Sequence, residues 1–254
     1  MIPKIIHYCW FGEAIIPEEL QRYIDGWKVS CPDYEIKLWN EESFDVNSHI
    51  FTATAYKKRK FAYVSDFVRA YALNKFGGVY LDVDVELKQK LEPFLSHEAF
   101  TGFEKNGMPF TALWGSIANH SLARKVLLYY DEREYLESQD TNTIVISDIL
   151  SEEYRIDVNK NEFQIGQNNI DTICIYPAEF FCLDLCNSVA THHFYGSWLP
   201  NENRNYKNIL HNNYYLDKIS VYQYNRKLTS YVAKNISFKE LIRLIYLYVK
   251  YKLG

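Results

Sequence analysis

The sequence predicts an α/β fold in which helices cover one central sheet. Short apolar, β-rich segments recur along the chain, first at residues 4–10, 34–39 and 79–81. Stretches in which apolar residues repeat at helical spacing lie between them. Because strands that alternate with helices build layered sheets, this order indicates the α/β class. The length of 254 residues is sufficient for a single domain with a full hydrophobic core.

The first helix is predicted at residues 17–30, where apolar side chains recur on one face. The later elements repeat the alternation, with strands at residues 100–104, 110–117 and 173–176 and helices at residues 121–137 and 143–154. The sequence contains no G-x-G-x-x-G motif, so nothing in it indicates a dinucleotide site.

The segment at residues 61–85 is the most informative, because a predicted helix leads directly into a predicted strand. Ser65 is the expected N-cap of this helix. Asp66 lies in the first turn, where a negative charge suits the helix dipole. The glycine pair at residues 77–78 ends the helix, and a short apolar strand follows.

Two carboxylates, Asp82 and Asp84, follow that strand. Side chains alternate along a strand, so both are expected on the same side of the chain. Neighbouring carboxylates repel each other unless a cation neutralises them, and their oxygens suit Mg²⁺ or Mn²⁺. The pair therefore predicts a divalent cation that also binds the phosphates of a ligand. The alternative is a solvated acidic loop at the end of the strand.

Three further side chains are candidates for the same site. Asp66 and Arg69 are three positions apart on the helix, so they share a face and can reach one ligand. Their alternative role is a surface ion pair of little energetic importance. Trp10 follows the first strand, at the sheet edge where α/β proteins bind ligands. Its alternative role is that of a core tryptophan.

Several motifs together resemble the glycosyltransferases with a DXD-type sugar-binding region, family 32 in the usual classification. They are SDFVR at residues 65–69, GG at 77–78 and VYLDVD at 79–84, with IPKIIHYCWFG at 2–12 and HHFYGSW at 192–198. The Asp–Arg–DXD arrangement also resembles, more distantly, the large clostridial glucosylating toxins. The similarity spans roughly residues 1–200, and it implies a single Rossmann-like nucleotide-sugar transferase domain of the GT-A type with a mixed central sheet.

The resemblance also implies roles for individual residues. Asp84, Asp66 and Arg69 would be catalytic, and Trp10 would stack on the uracil of a UDP-sugar. A packed strand position is the alternative for His7. The implied nucleotide-sugar-binding residues are His7, Trp10, Asp66, Arg69, Asp82, Gly196, Ser197 and Trp198.

The metal ligands implied are Asp82, Asp84 and His193. An imidazole can complete the coordination of a cation that carboxylates already hold. The His-aromatic-x-Gly register of the related enzymes selects His193 over His192, and places Gly196 near the diphosphate. The Lys-Pro-Trp ending of the more distant family is absent, so the sequence does not provide the usual lysine contact to phosphate.

The function that the resemblance implies is a metal-dependent glycosyltransferase with Mn²⁺ or Mg²⁺ as cofactor. It would move a sugar from a UDP-sugar to a glycan or lipid-linked acceptor, with retention of configuration, in capsule, exopolysaccharide or surface glycan synthesis. Two other classes stay open: a metal-dependent phosphoryl transferase or hydrolase, and a non-catalytic sugar-nucleotide-binding module. No nucleic-acid partner is expected.

Residues 201–254 form a predicted C-terminal extension that is basic and rich in tyrosine, with ten Lys and Arg against three Asp and Glu. A helix is predicted at residues 237–253, with a capping box of Ser237 and Glu240. Its basic and aromatic residues suit a membrane interface, and packing on the domain is the alternative. Five scattered cysteines, no signal peptide and no membrane-spanning run favour a cytoplasmic protein, peripheral at most on the inner face of the membrane.

Overall fold

The computed structural model of the chain describes residues 1–105, 108–185, 187–195 and 236–252. The nine strands within these residues are β1 (Ile5–Cys9), β2 (Glu35–Trp39), β3 (Gly78–Leu81), β4 (Val85–Leu87), β5 (Ala99–Lys105), β6 (Met108–Ser116), β7 (Gln164–Gln167), β8 (Thr172–Tyr176) and β9 (Ala190–His192). The helices there are α1 (Glu18–Ser30), α2 (Ile50–Lys57), α3 (Phe61–Phe76), α4 (Ser121–Tyr130), α5 (Asn142–Tyr154), α6 (Ala178–Phe181) and α7 (Phe238–Lys252).

Seven strands form the central sheet in the order β2-β1-β3-β6-β5-β8-β7. The β2, β1 and β3 strands are parallel, whereas β6 lies antiparallel to both β3 and β5. β8 is parallel to β5 and antiparallel to β7. The sheet is therefore mixed, and the predicted α/β class is confirmed. Because β1 and β3 are parallel neighbours, the residues that follow them lie at the same edge of the sheet.

Helix α3 packs on this sheet and carries a long buried face that includes Val64, Val68 and Leu73. The helix begins at Phe61, so the predicted N-cap Ser65 lies one turn inside it. The Ser65 hydroxyl donates to the carbonyl oxygen of Phe61 at 3.1 Å, and this bond satisfies the side chain within the helix. The cap prediction was wrong because the apolar residues before Ser65 extend the helix in the N-terminal direction.

A second sheet pairs the three-residue strands β4 and β9 in antiparallel orientation. Val85 lies opposite His192 and Leu87 opposite Ala190. This pairing brings residues from near position 190 beside the acidic segment near position 84. Neither strand was predicted, because three residues are too few to show the alternation of apolar and polar side chains that indicates a strand.

The C-terminal helix α7 begins close to the predicted position, and the Glu240 amide donates to the Ser237 hydroxyl at 3.3 Å. Ile236 forms an isolated β-bridge with Leu185, and Leu244 packs against the core. The predicted domain boundary at residue 200 lies outside the described residues. Within those residues, no helix is both long enough and apolar enough to cross a membrane.

The turn between α3 and β3 requires glycine, and this requirement yields a stability prediction. Gly78 has φ +107°, and a Cβ there would lie 2.7 Å from the carbonyl oxygen of Ile5. We expect Gly78→Ala to lower the free energy of unfolding by about 3 kcal/mol, through backbone strain and steric overlap. Gly26→Ala is the matched control, because a Cβ at Gly26 in α1 meets nothing within 4 Å, and the change should stabilise by up to about 1 kcal/mol. Equal denaturation midpoints for the two variants would contradict this account.

Candidate functional site

A cleft of about 670 Å³ opens where β1 and β3 end. Trp10, Asp66, Arg69, Asp82 and Asp84 all line it. These five predicted site residues come from two strand ends and one helix. The fold therefore brings them to one place, although the chain separates Trp10 from Asp84 by more than seventy positions.

The two aspartates of the DXD motif lie in a turn rather than in a strand. β3 ends at Leu81, and the amide of Val85 donates to the carbonyl oxygen of Asp82 at 3.0 Å. Strand alternation is therefore the wrong reason for their proximity. A tight turn between β3 and β4 brings the two carboxylates to the cleft instead.

His192 is the imidazole that joins these carboxylates. Potential ligand atoms of Asp82, Asp84 and His192 all lie within 4.8 Å of one another. The His192 Nε2 atom is 3.4 Å from an oxygen of Asp84. Its Nδ1 atom is buried and has no hydrogen-bond partner in the described part of the chain. An imidazole that shares this space with two carboxylates, and whose other ring nitrogen has no hydrogen-bond partner among the described residues, fits a site for a hard or borderline divalent cation.

His193, the histidine that the sequence analysis selected, points elsewhere. Its Nε2 atom lies 2.8 Å from a carboxylate oxygen of Glu86, and its ring stacks on Tyr23 with the centroids 4.5 Å apart. The choice of His193 over His192 is therefore corrected. Successive residues of an extended chain point to opposite sides, so the strand register decides which imidazole faces Asp84.

The segment after β9 also surrounds Asp84. The Tyr195 amide donates to Asp84 Oδ2 at 2.7 Å, and the His193 amide donates to the Asp84 carbonyl oxygen at 2.9 Å. Burial raises the pKa of Asp84, but His192 and the Tyr195 amide outweigh it, so the pKa lies below its ordinary value. Asp84 is therefore ionised at neutral pH and available to a cation.

The pKa of His192 is also shifted, because this imidazole lies beside Asp84. Burial lowers the pKa of His192, but the negative charge of Asp84 outweighs this effect and raises the pKa above its ordinary value. Protonation of His192 therefore competes with a metal ion at the acidic turn, which makes the affinity for the metal pH-dependent.

Arg69 organises the other half of the site. Its Nη2 atom lies 3.0 Å from Asp66 and 3.3 Å from Asp82, and its Nη1 atom donates to the Thr111 hydroxyl at 2.8 Å. The Tyr80 hydroxyl donates to Asp82 at 2.9 Å. The side chain of Arg69 is 8% exposed, so this is a buried network rather than the surface ion pair considered above.

Among the carboxylates that contact Arg69, Asp66 has a strongly raised pKa. Burial raises its pKa from 3.8 to about 6 and Asp82 adds to the shift, while Arg69 and Asn142 oppose it. A carboxylate with this pKa can change protonation near neutral pH when a ligand enters the cleft.

The two candidates near the first strand, Trp10 and His7, have different surroundings. Trp10 lines the cleft, and its indole N–H donates to the carbonyl oxygen of Ala14 at 2.5 Å. His7 is fully buried, with Nε2 2.8 Å from the carbonyl oxygen of Gly77 and Nδ1 accepting from Trp39. Both nitrogens of His7 are therefore used within the core, and the prediction that it binds the donor is corrected in favour of a packed strand residue.

Gly196, Ser197 and Trp198 lie outside the described residues, so their predicted contacts with the donor stay predictions. The cleft also contains Thr111, Glu104 and Asn142, which the sequence analysis missed. Asn142 donates to the Thr111 hydroxyl at 2.7 Å and so extends the Arg69 network. No local motif identifies these three residues, because only the folding of β5, β6 and α5 brings them to the cleft.

A family model described as the glycosyltransferase sugar-binding region containing the DXD motif matches residues 17–101. That range includes Asp66, Arg69, Asp82 and Asp84 but not His192. About a third of the chain is matched, and this part is similar to the DXD-containing sugar-binding region of that family.

Two curated relatives extend the similarity. Inositol phosphoceramide mannosyltransferase 3 of Schizosaccharomyces pombe is 36% identical over 123 residues, covering 43% of this chain and 33% of the relative. An uncharacterized glycosyltransferase of Acanthamoeba polyphaga mimivirus is 25% identical over 213 residues, covering 79% of this chain and 85% of the relative. The chain spans about a third of the length of the yeast relatives that it matches.

Among solved structures, the PaToxG glycosyltransferase aligns with a TM-score of 0.47 at 15% identity, over 59% of this chain and 68% of that chain.

The raised pKa of Asp66 predicts a pH-dependent stability difference in the metal-free chain. Because the folded pKa of about 6 exceeds the ordinary 3.8, the wild type loses stability as the pH rises from about 4 through 6. Asp66→Asn does not titrate there. Its free energy of unfolding relative to wild type should therefore increase by about 2 kcal/mol between pH 4 and 7. Denaturant titrations with a chelator measure this, and parallel stability curves would contradict it.

The assignment of the imidazole predicts a contrast between two neighbouring variants. His192→Ala should weaken Mn²⁺ binding at least about tenfold, because it removes a ligand that faces both carboxylates. His193→Ala removes a ring that contacts Glu86 and Tyr23, and it should reduce the affinity less. Calorimetric titration of Mn²⁺ into each folded variant gives the comparison. A larger loss of Mn²⁺ affinity in the His193 variant would instead identify His193 as the metal ligand.

Proposed function

We propose that the chain is a metal-dependent glycosyltransferase that takes a sugar from a nucleotide diphosphate sugar. The observation that carries this proposal is the convergence of Asp82, Asp84 and His192 with the Arg69–Asp66 pair in one cleft. The matched sugar-binding region and the names of the relatives support the same reaction class. A cluster of oxygen and nitrogen ligands beside a buried arginine suits a ligand that has both a diphosphate and hydroxyl groups.

Asp82, Asp84 and His192 would hold a divalent cation, Mn²⁺ or Mg²⁺. When bound, such a cation supplies Lewis-acid stabilisation of the negative charge on the departing diphosphate. The Tyr195 amide and the Tyr80 hydroxyl hold the two carboxylates in place. These contacts fix their orientation before the donor binds, which reduces the reorganisation needed in the reaction.

Asp66 and Arg69 would position the sugar of the donor. The guanidinium of Arg69 contacts Asp66, Asp82 and Thr111 at the same time, so its position in the cleft is fixed. An unprotonated Asp66 accepts hydrogen bonds from sugar hydroxyls. An acceptor hydroxyl then attacks the anomeric carbon from the same face that the diphosphate leaves, so the configuration is retained, and the hydroxyl proton passes to the departing diphosphate oxygen. Trp10 is the proposed platform for the base, which we take to be uracil.

The proposed acceptor is a glycan or a lipid-linked glycan. The Schizosaccharomyces pombe relative is named an inositol phosphoceramide mannosyltransferase, and this name favours a lipid-linked acceptor over a capsule polysaccharide. A metal-dependent phosphoryl transferase or hydrolase uses a similar site. The products separate the two: a transferase releases a nucleoside diphosphate, whereas the alternative releases inorganic phosphate.

The donor reaction gives the direct test of this proposal. A panel of nucleotide sugars is incubated with the chain and Mn²⁺, and release of the nucleoside diphosphate is measured. Asp84→Ala should lower kcat/KM at least about a hundredfold, because it removes a carboxylate that is proposed to hold the cation. Asp33→Ala is the matched control, since the Asp33 side chain is 72% exposed and its partner is Lys4. Undiminished turnover by the Asp84 variant would refute the proposal.

We also propose that α7 contacts an anionic membrane surface, so that the enzyme is peripheral on the cytoplasmic face. One stripe of the helix is apolar and exposed, and consists of Phe238, Ile242, Ile245 and Val249. Their exposed fractions are 48–77%. The acidic residue of the helix, Glu240, is 2% exposed, whereas the side chains of Lys239 and Lys250 reach the surface. An apolar stripe flanked by exposed cations matches the chemistry of an anionic bilayer.

Sedimentation with phosphatidylserine-containing vesicles tests the membrane contact. The triple variant Ile242→Ser, Ile245→Ser, Val249→Ser should bind these vesicles less, because it removes exposed apolar area and leaves the packed Leu244 in place. The control is Val29→Ser, Ile165→Ser, Ile170→Ser, which changes residues of 64–82% exposure elsewhere. Deletion of residues 238–254 should have the same effect as the first variant. Equal sedimentation of all forms would contradict membrane binding by α7.

A further inference from the structure

Arg59 has a backbone conformation that favours glycine. It follows the end of α2 at φ +57°. The Arg59 amide donates to the Tyr56 carbonyl oxygen at 2.8 Å, and the Lys60 amide donates to that of Ala55 at 2.9 Å. This pair of bonds is the Schellman arrangement, in which the residue at the Arg59 position is usually glycine. An arginine is strained there, so stability alone does not explain its presence.

Arg59 is one of the residues that line the cleft. Its guanidinium carbon lies 5.7 Å from the centre of the Phe61 ring. Phe61 in turn packs on the loop after β1, because a Cβ at Gly12 would lie 2.3 Å from this ring. Arg59 therefore lies near the loop after β1, which carries Trp10 and Gly12 and lines the cleft.

The ion pairs among the charged residues of the cleft distinguish Arg59 from the other two cations. Five carboxylates line it, those of Asp66, Asp82, Asp84, Glu104 and Glu137. The cationic side chains among the lining residues are Arg59, Lys60 and Arg69. Arg69 is held by Asp66 and Asp82, and Lys60 pairs with Glu137 at 3.0 Å. In the described part of the chain, Arg59 is within ion-pair distance of no carboxylate.

The proposed donor needs a further cation in this cleft. Asp82 and Asp84 together offset the charge of one divalent ion, so the negative charge of a diphosphate stays largely uncompensated. Arginine binds phosphate oxygens through two parallel N–H donors. An arginine that lines the cleft and has no ion-pair partner among the described residues therefore has the chemistry that the ligand requires.

We propose that Arg59 binds the diphosphate of the nucleotide-sugar donor, and that its strained backbone is retained for this contact. The inference rests on the proposed function, because it assigns one more contact to the same ligand. It also predicts that stability and nucleotide affinity respond in opposite directions when Arg59 is replaced by glycine.

The test uses calorimetric titration of UDP and of uridine into the full chain with Mn²⁺. Arg59→Gly should weaken UDP binding about tenfold, because a charge-assisted contact to phosphate is lost. Binding of uridine, which has no phosphate, should not change. The midpoint temperature of this variant should be above that of wild type, because glycine relieves the strain. Arg59→Lys should restore part of the affinity, since it keeps the charge but not the paired donors.

Arg155→Gly is the matched control. Arg155 also follows a helix, α5, in the left-handed conformation, at φ +60°, and it is exposed and does not line the cleft. This variant should gain stability in the same way and bind UDP as wild type does. Unchanged UDP affinity in Arg59→Gly, beside a wild type that binds UDP, would overturn this inference alone. A wild type that binds neither UDP nor GDP with Mn²⁺ would overturn the proposed function and this inference with it.

Discussion

The pairing of β4 with β9 is the constraint on which the site depends. Asp84 is 8% exposed, and a buried carboxylate is costly unless donors or a cation compensate it. The antiparallel register places His192 opposite Val85, and the chain that follows supplies the Tyr195 amide to the Asp84 carboxylate. A pairing of only three residues thus determines whether the acidic turn meets an imidazole. It also explains why the partner of Asp84 is separated from it by more than a hundred positions.

The carboxylates of the cleft are neutralised by two separate groups of residues. Arg69 neutralises Asp66 and Asp82 from helix α3, whereas His192 and a backbone amide stabilise Asp84 from β9. Asp82 lies between the two, because it contacts Arg69 and also belongs to the group that includes His192. A cation bound by the acidic turn is therefore adjacent to the arginine network. This adjacency is what a ligand with a diphosphate at one end and hydroxyl groups nearby requires.

Local sequence patterns predicted most of the fold. The spacing of apolar residues and the glycines that end helices can both be recognised within a few residues. The strands near Trp10, the helix that carries Arg69 and the C-terminal capping box all lie within a few positions of their expected places. The errors at the site occurred where a tertiary contact decides which residues meet. The register of β9 selects His192 rather than His193. His7 was assigned to the donor, but core packing uses both of its nitrogens. Asn142 and Glu104 reach the cleft only through the assembled sheet and helices.

The central claim is that one divalent ion is shared by the turn after β3 and the strand that returns near residue 190. Anomalous scattering from crystals soaked in Mn²⁺, recorded at the manganese absorption edge, tests this claim most directly. The account predicts one strong peak about 2.1 Å from a carboxylate oxygen of Asp82 or Asp84 and within bonding distance of a His192 nitrogen. A peak between His193 and Glu86, with none at the acidic turn, would contradict it.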